Sequence, residues 1–564
     1  MNNKWVVSRT NPEFLDYLSR KASISRVLAQ VLVNRGFKDA GSIKSFLNPS
    51  IESLHDPFLL PDMDRAVLRL KTALEKDETV LVHGDYDADG ITSTALMVSV
   101  LRNLGIKTFY HIPNRMTEGY GFGDKGIEKA AECGAGLIIT ADCGISSAKE
   151  VAAANSKGID VIVTDHHEPP EELPAALAVV NPHRNDSKYP FKYLAGVGVV
   201  FKLVQALIKS LQLTADSLQL TELLDLVALG TIADSVALVG ENRVFAAYGL
   251  EEIRKQNCRP GLAALKEIAG VDRDMQSGRL SYTLIPRINA AGRLDDAKEV
   301  VELFLSEERE KAKEIAQHLD EQNRERQKIE AVVLESAVKM IDPGNPGSAI
   351  VLWSDDWHPG VIGIVASRLV GMFYRPVILF SVKDSVAKGS ARSIPPLNLY
   401  EAIVGCSDLL MAFGGHHQAA GLKISTKNLP AFRERMNARV EKTLTPDEMI
   451  PVIEIDAPLR LSDVNFSIVR ELGLLEPFGE SNSEPVFATK EIEIVNHRIV
   501  GKNHLKMRLR QKRKDMDAIG FNQGDMIEDL EAASSLDVAF VPCINEWNGM
   551  KNLQLNVKAI RPGS

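Results

Sequence analysis

One pattern recurs between residues 79 and 182 of this 564-residue chain: a short apolar run ends in polar residues and is followed by a helical stretch. Short apolar runs that alternate with helix-period segments are typical of βαβ units on a parallel sheet. Ligands of such sheets bind at the carboxyl ends of the strands. The sequence therefore predicts an α/β domain with a binding site at one sheet edge. The runs are TVLVHGD, KTFYHIP, GLIITADCG, DVIVTDHH and AVVNP.

Three aspartates stand within five positions directly after the first run, in HGDYDADG (83–90). Like charges this close repel one another, and a hard divalent cation is the simplest compensation. The alternative is a solvated turn whose aspartates cap the next helix, and this segment alone favours neither interpretation. The other strand ends favour the cation, because they add the side chains Asp142, Asp165, His166 and His167, and an apolar stretch adds Asp234.

An unpaired carboxylate such as Asp234 would be costly inside the apolar segment LVALGTIADSVAL. A single aspartate of this kind is often a satisfied core residue, but four clusters with the same position after a strand are hard to explain in that way. Mixed Asp and His ligands without Cys suit Mn²⁺ or Mg²⁺ better than a structural zinc. We therefore expect a site for divalent cations.

Length and composition limit the remaining possibilities. A chain of 564 residues exceeds what one hydrophobic core normally serves, so three or four domains are expected. No apolar run approaches the ~20 residues that span a bilayer, and the N-terminus lacks the apolar region of a signal peptide. The five cysteines form no C-x-x-C motif and favour neither a disulfide framework nor a zinc ribbon. We expect a soluble protein of the cytoplasm without a membrane partner.

The rest of the chain divides by composition. Residues 296–341 have helical periodicity and high charge without Gly or Pro, which predicts one or two long connecting helices. A second α/β region follows the breaker DPGNPG (342–347), and short alternating segments follow residue 445. Net charge is −9, yet residues 498–514 hold eight Lys or Arg and no acid. Apolar and basic residues alternate there with strand period, which indicates a small β-barrel with one basic face.

HGDYDADG, TADCG, TDHH and GTIAD, in this order and at these intervals, resemble the DHH phosphoesterase superfamily and, within it, the branch of single-strand-specific exonucleases. RINAAGRL, GSARS, GGHHQAAG and LEPFGESNSEPVF extend the resemblance over nearly the whole chain. It implies a parallel-sheet DHH catalytic domain, a long connecting helix, a second α/β DHH-associated domain and a C-terminal OB-like barrel. The expected boundaries are an N-terminal segment 1–50, catalytic domain 51–295, connecting helices 296–345, DHH-associated domain 346–445 and barrel 446–564.

The resemblance also implies two divalent cations, Mn²⁺ or Mg²⁺, and a role for each polar residue at the strand ends. His83 and Asp87 would hold one cation, Asp89, His166 and Asp234 would hold the other, and Asp142 would bridge the two. Asp165 would orient a neighbouring imidazole, and His167 would lie near the scissile phosphate. Asp85 receives no role. Two such cations lower the pKa of a bridging water and stabilise the entering and leaving oxygens of an attack on phosphorus.

In the second α/β region the resemblance implies a pocket for a terminal phosphate, formed by Ser390, Arg392 and His416 and faced by Arg293. Glycines let backbone N–H groups approach an anion, and a guanidinium fits phosphate oxygens. Without the resemblance, the glycines would be read as tight turns and close helix contacts. Such a pocket would explain why an exonuclease starts at a 5′ end.

The basic segment carries Lys506, Arg508 and Arg510 on one predicted strand face. A run of charge is usually a solvated surface, but on an OB-like barrel these residues would contact the phosphates of single-stranded DNA. The neighbouring motif LEPFGESNSEPVF departs from the family at Ser481 and Ser483, where Gly and Pro are common. This departure puts the geometry of the loop in doubt and leaves catalysis untouched.

These observations predict a metal-dependent 5′→3′ exodeoxyribonuclease for single-stranded DNA in recombination and repair. A phosphodiesterase for short oligonucleotides or cyclic dinucleotides is the first alternative, and its smaller relatives typically lack a third, basic domain. A catalytically dead nucleic-acid-binding relative is the second, although every ligand position is filled here. The expected partners are single-stranded DNA with a free 5′ end, a helicase and a single-strand-binding protein, and a monomer is expected.

Overall fold

The computed structural model describes residues 3–563 apart from 116, 120, 214–219, 272–274, 295, 528–529, 531–532, 534 and 548. The chain divides into two compact units. The larger comprises Trp5–Gly292, Asp296–Gln317 and Glu454–Ser564, and the smaller comprises Met1–Lys4, Arg293–Asp295 and His318–Ile453. Among the helices of the described residues, none is both long and apolar enough to cross a membrane.

Three capped helices follow the first strand of the chain. Each begins after a residue whose side chain accepts a hydrogen bond from a free N–H of the first turn, as N-cap residues do. These N-caps are Asn11, Ser25 and Asp39. The elements are β1 (Lys4–Val7), α1 (Pro12–Ala22), α2 (Arg26–Asn34) and α3 (Ala40–Leu47).

A five-stranded parallel sheet forms the centre of the larger unit, with the strand order β3-β2-β4-β5-β6. Apart from the edge strand β3, its strands are buried along nearly their whole length, as expected for a sheet that helices cover. The prediction of a parallel-sheet α/β domain is confirmed. The strands are β2 (Thr79–His83), β3 (Thr108–His111), β4 (Ala135–Ala141), β5 (Asp160–Thr164) and β6 (Ala178–Val180).

Helices precede, connect and follow these strands. The helix α4 (Met63–Glu75) precedes the sheet, and the connecting helices are α5 (Ala88–Asn103), α6 (Asp124–Glu132) and α7 (Ala148–Ser156). A helical layer follows with α8 (Gly196–Ser210), α9 (Leu224–Ala233), α10 (Gly240–Arg254), α11 (Pro260–Ile268) and α12 (Ser277–Leu294). The segment predicted to connect two domains forms α13 (Lys298–Leu305) and the 31-residue α14 (Arg309–Lys339), whose residues are divided between the two units.

The smaller unit contains a five-stranded sheet of order β10-β11-β9-β8-β7. β7 and β8 are parallel, and the other neighbours are antiparallel. This is the second α/β region of the sequence prediction. Its elements are β7 (Ile350–Ser354), α15 (Ile362–Phe373), β8 (Val377–Lys383), β9 (Val386–Arg392), α16 (Leu399–Val404), β10 (Leu410–Gly415), β11 (Ala419–Ser425) and α17 (Leu429–Thr443).

The C-terminal part of the larger unit is a closed five-stranded barrel. Strands follow one another in the order β14-β15-β16-β18-β17, and β17 pairs with β14 to close it. The prediction of an OB-like barrel is confirmed. Its elements, with the short strands that precede it, are β12 (Val452–Ile455), β13 (Ala457–Pro458), α18 (Phe466–Leu472), β14 (Phe487–Val500), β15 (His504–Gln511), β16 (Lys514–Gly520), β17 (Leu536–Trp547) and β18 (Met550–Pro562).

A single core cluster joins α1–α3 with the barrel. The buried side chain of Arg243 on α10 reinforces this junction by donating to the carbonyl oxygens of Phe46 at 2.7 Å and Leu475 at 2.8 Å. A buried guanidinium is tolerated when carbonyls satisfy its donors. The N-terminal helices, the sheet domain and the barrel thus form one compact unit, although the sequence divides them by composition.

Candidate metal centre

The carboxyl ends of three neighbouring strands bring the predicted ligands to one edge of the parallel sheet. His83 is the last residue of β2, Asp142 follows β4, and Asp165 follows β5. Asp87 is the N-cap of α5, which leaves β2 after a short turn, and Asp234 is the C-cap of α9. The alternation of strands and helices is what places these distant residues side by side.

Two groups of three side chains have ligand atoms within 4.8 Å of one another. One group is Asp89, His166 and Asp234, and the other is Asp142, His166 and His167. His166 belongs to both, since its Nε2 lies 3.2 Å from Oδ1 of Asp142 and 3.6 Å from Oδ2 of Asp234. Carboxylates and imidazoles thus meet around Nε2 of His166, and together they form the donor set of a Mn²⁺ or Mg²⁺ site.

The electrostatics of the cluster fit cations. Burial, together with the charge of Asp87, raises the pKa of Asp89 to about 6, and burial and the charge of Asp89 raise the pKa of Asp234 to about 7. Burial and the charges of Asp89 and Asp87 raise the pKa of Asp142 well above its ordinary value. Oδ1 of Asp142 and Nε2 of His166 are buried without a hydrogen-bond partner among the described residues. Divalent cations would satisfy these atoms and offset the repulsion.

The backbone at Asp142 has the left-handed conformation, with φ at +65°. This conformation is uncommon for residues other than Gly, although Asp and Asn tolerate it, and it is often found at functional sites. Gly196, the first residue of α8, lies so close that a Cβ there would stand 2.4 Å from Oδ1 of Asp142. The site therefore requires a residue without a side chain at position 196.

The first turn of α8 holds Asp89. Its Oδ2 accepts from the N–H of Gly196 at 2.7 Å, and its Oδ1 accepts from the N–H of Val197 at 2.8 Å. Free N–H groups and the positive end of the helix dipole both favour a carboxylate here. Asp87 serves as N-cap of α5, and its Oδ1 accepts from Asp89 and Gly90 N–H at 3.0 and 3.1 Å. The cap interpretation of the sequence is therefore correct for Asp87, and it leaves the other carboxylate oxygen available to a cation.

Asp165 lies behind the cluster and orients His167. Nδ1 of His167 lies 2.7 Å from Oδ1 of Asp165, whose other oxygen accepts from the N–H of Ile145 at 2.9 Å. Although burial opposes ionisation, the hydrogen bond with His167 lowers the pKa of Asp165; the same bond raises the pKa of His167 to about 9 against the effect of burial. Nδ1 of His167 is committed to Asp165, and a ligand atom of His167 lies within 4.8 Å of those of Asp142 and His166.

His83 and Asp85 have other surroundings. Nε2 of His83 donates to the carbonyl oxygen of Gly121 at 3.2 Å, and its ring packs against Gly126, where a Cβ would stand 2.3 Å from Nδ1. Burial and the charge of His111 lower the pKa of His83 to about 3. Neither ligand group found among the described residues includes His83. Asp85 is buried, and burial with the charge of Asp87 raises its pKa well above the ordinary value.

The smaller unit brings together most of the predicted phosphate pocket. Nη1 of Arg392 lies 3.3 Å from Oγ of Ser390, and both border the first turn of α15, where a Cβ on Gly363 would stand 2.9 Å from that Oγ. Arg293 donates from Nη1 to the carbonyl oxygen of Gly360 at 3.2 Å, just before α15. Two guanidinium groups and a hydroxyl thus surround a helix N-terminus, which is a favourable place for an anion.

His416 lies in the turn between β10 and β11. Its N–H donates to Ala419 O at 2.8 Å, and Ala419 pairs with Arg392 in the sheet. The His416 side chain itself is exposed. The turn therefore places His416 next to the end of the strand that carries Arg392.

The basic barrel strand has the predicted alternation but not the predicted free charge. Leu505, Met507 and Leu509 of β15 are buried, and the basic residues between them point outward. Two of these basic residues have carboxylate partners on β16: Arg508 Nε lies 3.3 Å from Asp515 Oδ2, and Arg510 Nε lies 2.7 Å from Asp515 Oδ1. These pairs reduce the positive charge that the face offers to a phosphate.

A cavity of about 1030 Å³ lies on another side of the barrel, beside the N-terminal strand. Arg561 packs over the Trp5 ring, 4.3 Å from its centroid, and also pairs with the buried Asp537 at 3.2 Å. Basic residues outnumber acidic ones in the lining: Arg460, Lys490, Lys512, Arg513, Lys514 and Arg561 against Asp463, Glu491 and Asp537. Part of the basic segment 498–514 therefore faces this cavity.

Sequence reasoning missed the residues that support the site from other segments. Gly196 and Gly363 are required by close approach, and Asn289 accepts from the N–H of Ala88 at 2.9 Å. Asn289 stands in RINAAGRL, a motif that carried the resemblance and supplied Arg293, and Gly196 stands in the apolar segment LAGVGVVFKL (194–203). Nothing in their local pattern indicates a contact with the strand-end cluster.

Comparison with known families gives three matches along the chain. They are the DHH family N-terminal domain over residues 79–231, the DHHA1 domain over residues 346–442 and the RecJ OB domain over residues 455–559.

Curated relatives and solved structures agree with these matches. A Bacillus subtilis protein named single-stranded-DNA-specific exonuclease RecJ is 39% identical over 98% of this chain and 70% of its own length. A Haemophilus influenzae protein of the same name is 39% identical over 92% of this chain and 93% of its own length. The crystal structure of Thermus thermophilus RecJ with Mn²⁺ covers 100% of this chain and 80% of that one, with 32% identity and a TM-score of 0.85. Its complex with Mg²⁺ gives 30% identity, a TM-score of 0.79 and coverage of 100% and 79%.

Proposed function

The chain belongs to the RecJ family of single-stranded-DNA-specific exonucleases, and we propose that it hydrolyses the phosphodiester bonds of single-stranded DNA from the 5′ end. The family places this activity in DNA recombination and repair. Relatives have been solved with Mn²⁺ and with Mg²⁺, and the Asp and His groups of this chain suit the same cations.

The position of His166 carries the proposal. One imidazole nitrogen lies within 3.6 Å of two carboxylates, and a third carboxylate, Asp89, completes the group. We assign Asp89, His166 and Asp234 to one cation and Asp87 to the other, with Asp142 between them. His83, expected beside Asp87, stays a prediction: its Nε2 donates to Gly121, and its Nδ1 is buried without a hydrogen-bond partner among the described residues.

When bound, the cations would supply an activated water and neutralise charge on the reacting phosphate. The chain's own residues supply orientation and a proton. Asp165 holds His167 in one orientation, and the raised pKa of about 9 keeps His167 protonated at neutral pH. We propose that its Nε2 faces the scissile phosphate and offers a proton to the leaving oxygen.

The phosphate pocket of the smaller unit supports the 5′ polarity. Arg293, Ser390 and Arg392 surround the N-terminus of α15, and a terminal phosphate monoester carries more charge than an internal phosphodiester. We propose that these three residues bind the 5′ phosphate, with His416 at the border of the pocket. A 5′-hydroxyl end would lack this contact.

The barrel offers two basic surfaces to the DNA. Lys506, Arg508 and Arg510 remain one candidate, although Asp515 already pairs with both arginines. The cavity beside Trp5 is the other, because it combines an aromatic ring with basic residues such as Lys512 and Arg513, and single strands are bound by stacking and phosphate contacts. We propose that the cavity makes the larger contribution.

The remaining features of the proposal rest on the family and the sequence. We propose that the protein acts as a monomer in the cytoplasm, on strands opened by a helicase and covered by a single-strand-binding protein. The domain division, with boundaries near residues 50, 295, 345 and 445, is likewise proposed from the sequence and its resemblance.

Digestion of end-labelled DNA tests the proposal. Single- and double-stranded oligonucleotides, labelled at either end, are incubated with the metal-free full chain and with added Mn²⁺ or Mg²⁺. We expect cation-dependent release of mononucleotides from the 5′ end of the single strand alone. Release from the 3′ end, equal digestion of duplex DNA, or turnover limited to dinucleotides would contradict the proposal.

A further inference from the structure

The first turn of α5 carries two proposed ligands, Asp87 and Asp89, and its position decides where both carboxylates stand. The first N–H groups of a helix lack partners inside the helix and must be satisfied from outside. Asp87 itself accepts from Asp89 and Gly90. The N–H of Ala88 is taken by Oδ1 of Asn289, at 2.9 Å.

Asn289 comes from a distant helix, α12, which packs tightly on the same turn. A Cβ on Gly292, three residues further along α12, would stand 2.2 Å from the carbonyl oxygen of Tyr86. The two contacts fix the chain at residues 86 and 88. All of these residues belong to the larger unit.

The orientation of the Asn289 carboxamide follows from chemistry. A backbone N–H can only donate, so the atom facing Ala88 is the oxygen, and the NH₂ group points elsewhere. Asn289 thus acts as an acceptor for the turn, in the way an N-cap does, but from another element. An aspartate in its place would keep the acceptor, whereas an alanine would remove it.

We infer that Asn289 is a positioning residue of the metal centre. It holds the N–H of Ala88, and through this contact it keeps Asp87 and Asp89 in place before a cation arrives. Without it, the Ala88 N–H would compete for the carboxylate of Asp87, which already accepts two hydrogen bonds and has one oxygen left for a cation. The inference rests on the proposed assignment of Asp87 and Asp89 as ligands.

Mn²⁺ binding to the metal-free full chain, followed by electron paramagnetic resonance of free Mn²⁺, tests the inference directly. Asn289→Ala is expected to weaken Mn²⁺ affinity by about 10-fold or more, the effect typical of a residue that orients a ligand. Activity should recover at saturating Mn²⁺, and KM for DNA should stay unchanged. Asn289→Asp is expected to bind Mn²⁺ at least as tightly as the unchanged protein.

Asn465→Ala is the matched control. Asn465 is an Asn whose Oδ1 accepts from a first-turn N–H, that of Ile468 at 3.0 Å, at the start of α18 and outside the cluster of strand ends. Its loss should lower thermal stability and leave Mn²⁺ affinity unchanged. An equal loss of Mn²⁺ affinity in this control would show a general effect of stability and overturn the inference.

Two further results would also overturn it: wild-type affinity in Asn289→Ala, or an Asn289→Asp variant as weak as the alanine variant. If the alanine variant does not fold, Asn289→Gln displaces the oxygen by one methylene, and unchanged Mn²⁺ affinity in that variant would refute the role. Failure of the unchanged protein to bind Mn²⁺ would instead contradict the proposed function, so the two failures are distinguishable.

Discussion

Nε2 of His166 lies 3.2 Å from Oδ1 of Asp142, and both atoms are buried without a hydrogen-bond partner in the part of the chain that the structure describes. Such an arrangement is costly in the metal-free protein, because buried polar atoms lose their hydration. Divalent cations bound there would give both atoms a partner and make the arrangement favourable. This pair of atoms therefore favours the binding of divalent cations at the site. The predictions below test the residues involved.

Asp142→Asn should reduce cleavage of single-stranded DNA by at least about 100-fold, more than loss of an outer partner costs. Asparagine tolerates the left-handed backbone at this position, so the fold should remain. Because one charge leaves a repulsive cluster, the metal-free variant should melt at or above the temperature of the unchanged protein. Digestion with Mn²⁺ and thermal unfolding in EDTA check both points, and appreciable residual turnover would contradict the bridging role of Asp142.

Gly196→Ala should damage the site, whereas Gly198→Ala in the same helix should not. A Cβ at 196 would stand 2.4 Å from Asp142 Oδ1, while one at 198 meets only ordinary contacts, 3.4 Å from Leu194. Overpacking of this kind costs about 1 to 3 kcal/mol, whereas Gly→Ala within a helix gains up to about 1 kcal/mol. Mn²⁺ titration and unfolding of both variants measure the difference; similar Mn²⁺ affinities would show that Asp142 can move without cost.

Cation removal should destabilise the protein more at pH 8 than at pH 5. The folded-state pKa values of Asp89 and Asp234, about 6 and about 7, lie above the ordinary value. Groups with a raised pKa stabilise the fold below about pH 4, and this contribution is lost as the pH rises through 6 and 7. Bound cations would counter that loss, so the shift in melting temperature on adding Mn²⁺ should grow with pH.

Asp234→Asn is the control for this pH dependence, because it removes one of the carboxylates whose pKa is raised. The melting temperature of the metal-free variant should fall less between pH 5 and pH 8 than that of the unchanged protein. Identical pH profiles for the two proteins would show that the carboxylate cluster is not the source of the effect.

Arg392→Ala should slow the digestion of 5′-phosphorylated strands by about 10-fold or more, which corresponds to loss of a charge-assisted contact. Digestion of 5′-hydroxyl strands should change little. Lys388→Ala is the control, since Lys388 is an exposed basic residue of the same strand, β9. Competition between the two substrates measures the preference. Equal losses on both ends would place the terminal phosphate elsewhere.

Replacement of Lys512, Arg513 and Lys514 by alanine should lower the slope of log affinity against log salt by about 2, since each phosphate contact contributes about 0.7 for single strands. The double variant Arg508→Ala and Arg510→Ala should lower it by less than the about 1.4 expected for two phosphate contacts, because Asp515 pairs with both arginines. Fluorescence titration of labelled DNA in EDTA gives the slopes without cleavage. A larger effect of the double variant would place the DNA on the face of β15.

Several elements could be predicted from the sequence because their pattern is local. The apolar runs at residues 79–83, 135–141 and 160–164 are strands of a parallel sheet, and the alternation at 504–511 is a barrel strand. The chain from 309 to 339 is one helix. Each of these depends on side-chain period, which a sequence displays directly. The ligand roles came from the resemblance, and they stay predictions.

The turn of His83 toward Gly121 and Gly126 could not be predicted, because a side-chain rotamer at a strand end depends on which helix packs there. The pairing of Arg510 with Asp515 follows from the register of β15 and β16, which places these two residues opposite one another. Asn289 reaches Ala88 across 201 positions of sequence. No local pattern encodes contacts of this range.

The sequence by itself determined the kinds of element, the order of the polar clusters and the chemistry of a cation site, since strand ends of βαβ units meet at one edge whatever the details of packing. The tertiary structure decided which carboxylates face one another, which imidazole is shared and which basic residues pair with Asp515. The physical reason is that these properties depend on distances of a few ångströms between segments far apart in the chain. Packing of α8 and α12 against the sheet edge sets those distances, through the N–H of Gly196 and the carboxamide of Asn289.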